Sequence, residues 1–177
     1  ANAGDVEWNT EIEEMAARRA DEHTRHREIA PLGAVAAWRH GDKALALKRA
    51  QEYVAQNPRH ILGRVIAAQL FDAAGNKADA KREAQACIAL LPEQAAGAEV
   101  LQVADLLGNL DMYSEAAVLY ERFIKAPRAD ELTFKWLQCL VSSDQRKKAQ
   151  LAIEKLAPED RSQKNIRHIE VNLAARM

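Results

Sequence analysis

Apolar residues along most of the chain recur three and four positions apart, the spacing that gathers them on one side of an α-helix. Ala34, Ala37 and Trp38 share one such stripe, and Ala46, Ala50 and Val54 form a second just beyond it. The pair of stripes returns as Val65, Ala68 and Phe71 followed by Ala80, Ala84, Cys87 and Ile88. It returns again as Val100, Val103, Ala104 and Leu107 followed by Ala116, Leu119, Tyr120, Phe123 and Ile124. A fourth copy reads Phe134, Leu137 and Leu140, then Ala149, Ile153 and Leu156. Within each copy the stripes are separated by a turn signal, Gly41-Asp42, Gly75-Asn76, Leu110-Asp111 or Ser143-Asp144, offering an Asp or Asn expected to cap the next helix. Pro58, Pro92, Pro127 and Pro158 close the four copies, and Ala46, Ala80, Ala116 and Ala149 follow the turns at mutual spacings of 34, 36 and 33.

A fixed period of this length is the mark of a repeat protein. One helix pair cannot bury both of its apolar stripes, so successive pairs must stack, and the expected architecture is an all-α solenoid of about four pairs. The repeats are placed at 30–59, 60–94, 95–128 and 129–158, giving a repeat region of 30–158. The segment 1–29 is expected to carry a flanking helix from about Glu11 to His26, opened by a Thr10-to-Glu13 capping box, with Ile12, Met15, Ala16 and Ala20 on its narrow apolar side. Pro31 suits the first turn of the helix that follows. The segment 159–177 is expected to form a C-terminal capping helix, with Ser162 as its cap and Ile166, Ile169 and Leu173 facing the last repeat.

Composition sharpens this picture without redirecting it. Alanine fills 35 of 177 positions against 3 Phe, 3 Tyr and 3 Trp, which favours helices that approach closely through small side chains. A chain of this length buries enough surface to fold without a metal or disulfide, and Cys87 and Cys139 read as small core residues. Lys and Arg number 25 against 26 acids, for a formal charge of -1, so no nucleic-acid partner is expected. No apolar run reaches the roughly 20 residues that cross a bilayer, so no membrane insertion by this chain is expected. The start at Ala1 and the stop at Met177 are expected of a module excised from a longer protein, which leaves cytoplasmic and periplasmic locations both open; the alanine content points to a bacterial source.

Candidate chemistry is sparse. His23 and His26 lie three apart on the flanking helix, but no third ligand is nearby and Arg25 and Arg27 would repel a dication, so no metal is expected. None of the four serines lies in a nucleophile-elbow pattern. Gly75 to Lys81 lacks the second glycine and the ending of a phosphate loop and reads as an inter-helix turn. Asp130-Glu131 and Glu159-Asp160 fall where carboxylates complement a helix start. Arg18, Arg19, Arg25 and Arg27, like Arg146, Lys147 and Lys148, are interleaved with acids and lack aromatic stacking partners. Neither a catalytic role nor a cofactor is expected.

These residues resemble the tetratricopeptide repeat (TPR) family. The clearest segment is Asp111-Met112-Tyr113-Ser114-Glu115-Ala116-Ala117-Val118-Leu119-Tyr120, with the tyrosine, small alanine and aromatic of that family's second helix. Ala34, Ala68 and Ala104 match its small first-helix residue, and Pro58, Pro92 and Pro127 its closing proline. The family's tryptophan near the start of the first helix is absent from every unit, Tyr53 replaces a small residue, and Leu137 stands where a small residue is usual.

The resemblance implies a right-handed α-solenoid whose first helices line a concave face that grips a peptide or protein. On that alignment the partner-binding residues are Val35, Trp38, Leu62, Val65, Gln69, Asp72, Leu101, Asp105, Asn109, Phe134 and Gln138. About half of the apolar ones are equally expected to be inter-repeat core. Chaperone-binding members of the family hold a terminal carboxylate with lysines and asparagines, whereas this surface offers Val65, Leu101 and two aspartates. The expected occupant is therefore a segment with apolar anchors and a basic group for Asp72 or Asp105. Two further readings remain: a regulatory or substrate-positioning module of a larger bacterial enzyme or polysaccharide-export assembly, and a module that self-associates.

Overall fold

The computed structural model describes residues 30–92, 95 and 97–174, so the flanking helix expected at Glu11 to His26, with His23 and His26, lies outside the described residues. Among the described residues the chain is all-helical and divides into two compact units, at Pro92 and Glu93. The first holds α1 (Ala30–Arg39), α2 (Lys43–Gln56), α3 (Ile61–Ala73) and α4 (Lys77–Leu90). In the second are α5 (Gly97–Asn109), α6 (Tyr113–Glu121), α7 (Glu131–Ser142), α8 (Arg146–Glu154), the short α9 (Pro158–Arg161) and α10 (Lys164–Ala174). Each helix from α1 to α8 holds one of the eight stripes read from the sequence, except that α6 and α8 end before Phe123, Ile124 and Leu156, the last residues expected on theirs.

The turn inside each pair has one construction repeated four times. Gly41, Gly75, Asp111 and Asp144 adopt φ of 87°, 82°, 61° and 62°, the left-handed conformation that stops a helix. The next amide donates back five residues in every case, from Asp42 to Ala37, Asn76 to Phe71, Met112 to Leu107 and Gln145 to Leu140, which closes a Schellman motif. That same residue then begins the second helix, and its carbonyl accepts the first helical hydrogen bond from Ala46, Ala80, Ala116 or Ala149. All four alanines are completely buried, because a larger side chain there would push the two helices apart.

Four capping expectations are corrected by this geometry. Asp42 caps as expected, its Oδ1 accepting from the Leu45 amide at 2.9 Å, but Asn76 makes no side-chain cap bond. Asp111 and Asp144 are not caps: they occupy the left-handed position itself, which shifts the N-cap to Met112 and Gln145. Asp tolerates that conformation better than most side chains, so it stands in for the glycine of the first two turns. Ser162 likewise terminates α9, its hydroxyl donating to the Glu159 carbonyl at 2.6 Å, rather than opening α10. Asp130, read from the sequence only as a carboxylate at a helix start, is the N-cap of α7, accepting from the Thr133 amide at 2.8 Å.

Packing within the first unit resolves the anomaly at Tyr53. The ring is buried, and it is accommodated because Gly63 on α3 has no side chain: a Cβ there would lie 2.3 Å from Tyr53 Cε1. The Gly63 amide donates to His60 Nδ1 at 3.3 Å, so that nitrogen is an acceptor and the Tyr53 hydroxyl donates to it at 2.8 Å. A second tie that the sequence did not announce joins α3 to α4, where Arg64 Nη1 meets the buried carboxylate of Glu83. Cys87 and Cys139 are both buried and free. In the second unit, Ile166, Ile169 and Leu173 of α10 are buried, and α10 packs on α7 and α8.

Gly63→Ala is expected to lower unfolding stability by about 1 to 3 kcal/mol through overpacking against Tyr53. Urea unfolding followed by circular dichroism measures this directly, and an unchanged midpoint would show that the Tyr53 ring can move aside.

Candidate partner-binding surface

In the first unit the expected contact residues lie on α1 and α3, which pack on each other. Val35, Trp38 and Leu62 are half-buried, leaving apolar surface open on both helices. The Lys43 ammonium lies over the Trp38 ring, 5.3 Å from its centroid, in a cation–π contact. Gln69 is exposed one turn beyond Val65. Val65 itself is completely buried and belongs to the core, which corrects its assignment to the binding surface: its face of α3 is covered by neighbouring helices. Asp72 is half-buried and pairs with Lys77 at 2.5 Å, so its charge is already met within the turn region of its own unit.

In the second unit Leu101 is half-buried, Asn109 is exposed, and both flank Asp105 along α5 at intervals of four. Phe134 and Gln138 occupy the neighbouring stripe of α7, with Gln138 exposed. Phe134 lines a hollow of about 190 Å³ with Asp130, Glu131, Gln163, Asn165 and Ile166.

Asp105 is the centre of a network. Its Oδ1 accepts from the Tyr120 hydroxyl at 2.5 Å and from Lys135 Nζ at 2.9 Å, and Lys135 also pairs with Glu131 at 3.1 Å. Three helices are tied by one carboxylate oxygen. The expectation of an aspartate awaiting a partner's basic group is corrected accordingly: Lys135 already supplies one, leaving Asp105, Lys135 and Glu131 with a combined charge of one negative unit. Burial, followed by the hydrogen bond to Asp105, pushes the Tyr120 phenol well above its ordinary range. The Asp105 hydrogen bond raises Lys135, and burial with the nearby Asp105 charge pushes the Cys139 thiol from 9.0 up to about 11. Tyr113 is raised in the same direction by its hydrogen bond to Asp111.

Lys135, Glu131 and Tyr120 were not among the residues expected at this surface. The Glu131–Lys135 spacing of four was a legible signal for that ion pair, but nothing local connects either residue to Asp105, thirty positions before Lys135. The basic cluster on α8 is largely engaged with acids, Arg146 with Asp144 at 2.7 Å and Lys148 with Glu121 at 2.5 Å. Among the described residues no group of three His, Cys, Asp or Glu is placed to hold a metal ion, and no helix is long and apolar enough to cross a membrane.

No family model matches the chain, and the search of curated proteins gave no match. Among solved structures, it is similar to the crystal structure of nearly identical TPR-like repeats from a Podosopora anserina protein described as a kinesin light chain. The two share a TM-score of 0.59 at 16% identity, over 95% of this chain and 88% of that one. The fold is therefore that of TPR-like helical repeats, as the residue pattern led one to expect.

A group whose folded pKa is raised binds its proton more tightly when folded, so the stability it contributes is complete below its ordinary pKa and is lost as pH climbs toward the folded value. Cys139, Tyr120, Tyr113 and Lys135 all shift in this direction, and all lie in the second unit. Stability is expected to fall between pH 9 and 11, by roughly 2 kcal/mol for the thiol alone. Urea unfolding across that range is the check; Cys139→Ala should flatten the slope, and an equal slope in both proteins would remove the thiol from the account.

Proposed function

We propose that this chain is a non-catalytic protein-binding scaffold that holds a peptide or protein segment against its first helices. The observation that carries the reading is the combination, on a TPR-like fold, of half-exposed apolar side chains with exposed amides on those same helices. Val35, Trp38 and Leu62 offer apolar contact beside Gln69 in the first unit, and Leu101 and Phe134 do so beside Asn109 and Gln138 in the second. A binding surface needs this mixture: apolar contact drives association, and amides fix orientation by pairing with an extended backbone.

The pairing of the aspartates refines the kind of segment expected. With Asp72 held by Lys77 and Asp105 by Lys135, the favoured occupant is anchored by apolar side chains and carries at most one basic group, which the single negative unit left on Asp105, Lys135 and Glu131 together would attract. Its affinity falls in the micromolar range, about -8 kcal/mol. A partner's terminal carboxylate meets no cluster of lysines and asparagines on these helices, so peptides of the kind bound by chaperone-class repeats are not expected to bind detectably.

The test is capture of partners from native lysate by the wild type and by a Leu101→Glu, Phe134→Glu double variant whose helicity is verified by circular dichroism. A partner retained by the wild type and lost by the folded variant supports the first-helix surface. Retention by both would move recognition to other faces. Isothermal titration with a carboxylate-terminal chaperone peptide is expected to show no saturable heat, and tight binding would refute the exclusion.

A further inference from the structure

We propose that the joint between α2 and α3 is a pH-sensitive switch, closed while the His60 imidazole is neutral and loosened when its Nδ1 takes a proton. His60 is the N-cap of α3, and its Nδ1 accepts from the Gly63 amide at 3.3 Å and from the Tyr53 hydroxyl of α2 at 2.8 Å. The two rings also meet edge to face, with centroids 5.6 Å apart at an angle of 67°. One ring nitrogen thus opens a helix and ties it to the helix before. An N-cap is ordinarily an aspartate, asparagine, serine or threonine, whose oxygen goes on accepting in mild acid. An imidazole loses that capacity near pH 6.5.

The proton does not act equally on the two bonds. The Tyr53 hydroxyl can turn and accept from the new N–H, but the Gly63 amide can only donate, so it is left facing a donor. Gly63 and Tyr53 are both buried, which keeps water from replacing the lost acceptor. The added charge also falls at the amino end of a helix, where the dipole disfavours a cation. The groups around the ring come from every neighbouring element. Helix α2 brings Tyr53 and, one turn earlier, Arg49, which donates to the Gly33 carbonyl at 3.1 Å; Glu52, next to Tyr53, is exposed and lies 3.9 Å from Lys48. The loop brings Arg59, and α3 brings Arg64, whose Nε donates to the Pro58 carbonyl at 2.8 Å. Helix α4 brings Glu83, met by both Arg64 and Arg82, and Cys87, whose thiol donates to the Ile61 carbonyl at 3.8 Å. The one charged residue of α1, Arg39, stands at the turn into α2, the end away from His60. Among these groups the buried anion, Glu83, is already paired twice, and the arginines oppose a further positive charge.

The unfolded chain takes this proton at about pH 6.5, and the folded joint resists it. The stability that the joint contributes is therefore complete above that pH and is lost as pH falls below it. Loosening acts first at Ile61 and Leu62, which follow the cap directly, and it does so whether or not the first-helix surface holds a partner.

The test follows the His60 ring and the Gly63 amide by NMR in the isotope-labelled full chain between pH 7.5 and 5. As the ring titrates, the Gly63 amide is expected to lose at least tenfold in protection from hydrogen exchange, beyond the change in intrinsic rate. The Thr133 amide, capped by the Asp130 carboxylate, should keep its protection over the same range. His60→Asn supplies a cap oxygen that does not titrate, and should hold Gly63 protection constant. A ring that titrates while the Gly63 amide stays protected overturns the proposal. So does a ring that takes no proton above pH 5, or an equal loss of protection in wild type and variant. The comparison of Gly63 with Thr133 in the wild type decides the matter even if the variant does not fold.

Discussion

The constraint on which the helix pairs depend is the burial of one methyl group. In every pair the fourth residue of the second helix is a completely buried alanine whose amide closes the first hydrogen bond of that helix. Alanine is required twice over: its size lets the two backbones approach, and its position fixes where the second helix starts relative to the left-handed residue before it. Seven residues ahead of that left-handed residue stands a buried Ala34, Ala68 or Ala104 in the first three pairs, and a buried Leu137 in the fourth. The crossing is thus set by small volumes on both helices in three pairs, while in the last a leucine fills the gap from one side. Turn and crossing are parts of a single local arrangement, which is why they recur together at the same spacing.

Once the crossing is set, the outward stripes of the first helices follow, and the two units use theirs differently. On α1 and α3 the open side chains are mainly apolar, and the one aspartate is held by the lysine that begins the next helix. On α5 and α7 the surface is organised around Asp105, whose single oxygen ties α5 to α6 through Tyr120 and to α7 through Lys135. A carboxylate taking a phenol and an ammonium on one oxygen retains capacity on the other. The network can hold three helices in register and still present a polar group to a partner. It also contributes to the raised titrating groups in the second unit: its hydrogen bond is the main cause at Lys135, and its charge adds to burial at Tyr120 and Cys139.

The pattern of apolar spacing, glycines and prolines was sufficient to place α1 to α8, because those signals act within one or two turns of chain. Capping was less legible. An Asp beside a turn reads as a cap, yet Asp111 and Asp144 serve as the left-handed residue, and only the absence of a neighbouring glycine distinguishes the two uses. Site residues were legible as faces but not as partners. Val65 sits on the right helix and is buried; Asp105 sits on the right face and is already paired. What decides both is contact between residues far apart in the chain, as between Asp105 and Lys135, thirty positions on, or Arg64 and Glu83, nineteen positions on, and no local rule carries that information. Tyr53 stood out as a misfit in its own repeat because its compensation, Gly63, lies in the next one.

That compensation bears on why the fold is recognisable where sequence comparison finds no family model. The repeat requires summed volumes and a left-handed turn residue, and it is satisfied by different identities in each copy. Glycine serves in two turns and aspartate in two; tyrosine against glycine replaces small against large; leucine replaces alanine in the last pair. Packing at native density fixes the total volume between two helices more strictly than the contribution of either. A match judged residue by residue loses each of these exchanges, whereas a superposition of backbones retains them all. The pairs that depart from the usual residues keep the same left-handed turn and the same buried alanine as the pairs that do not.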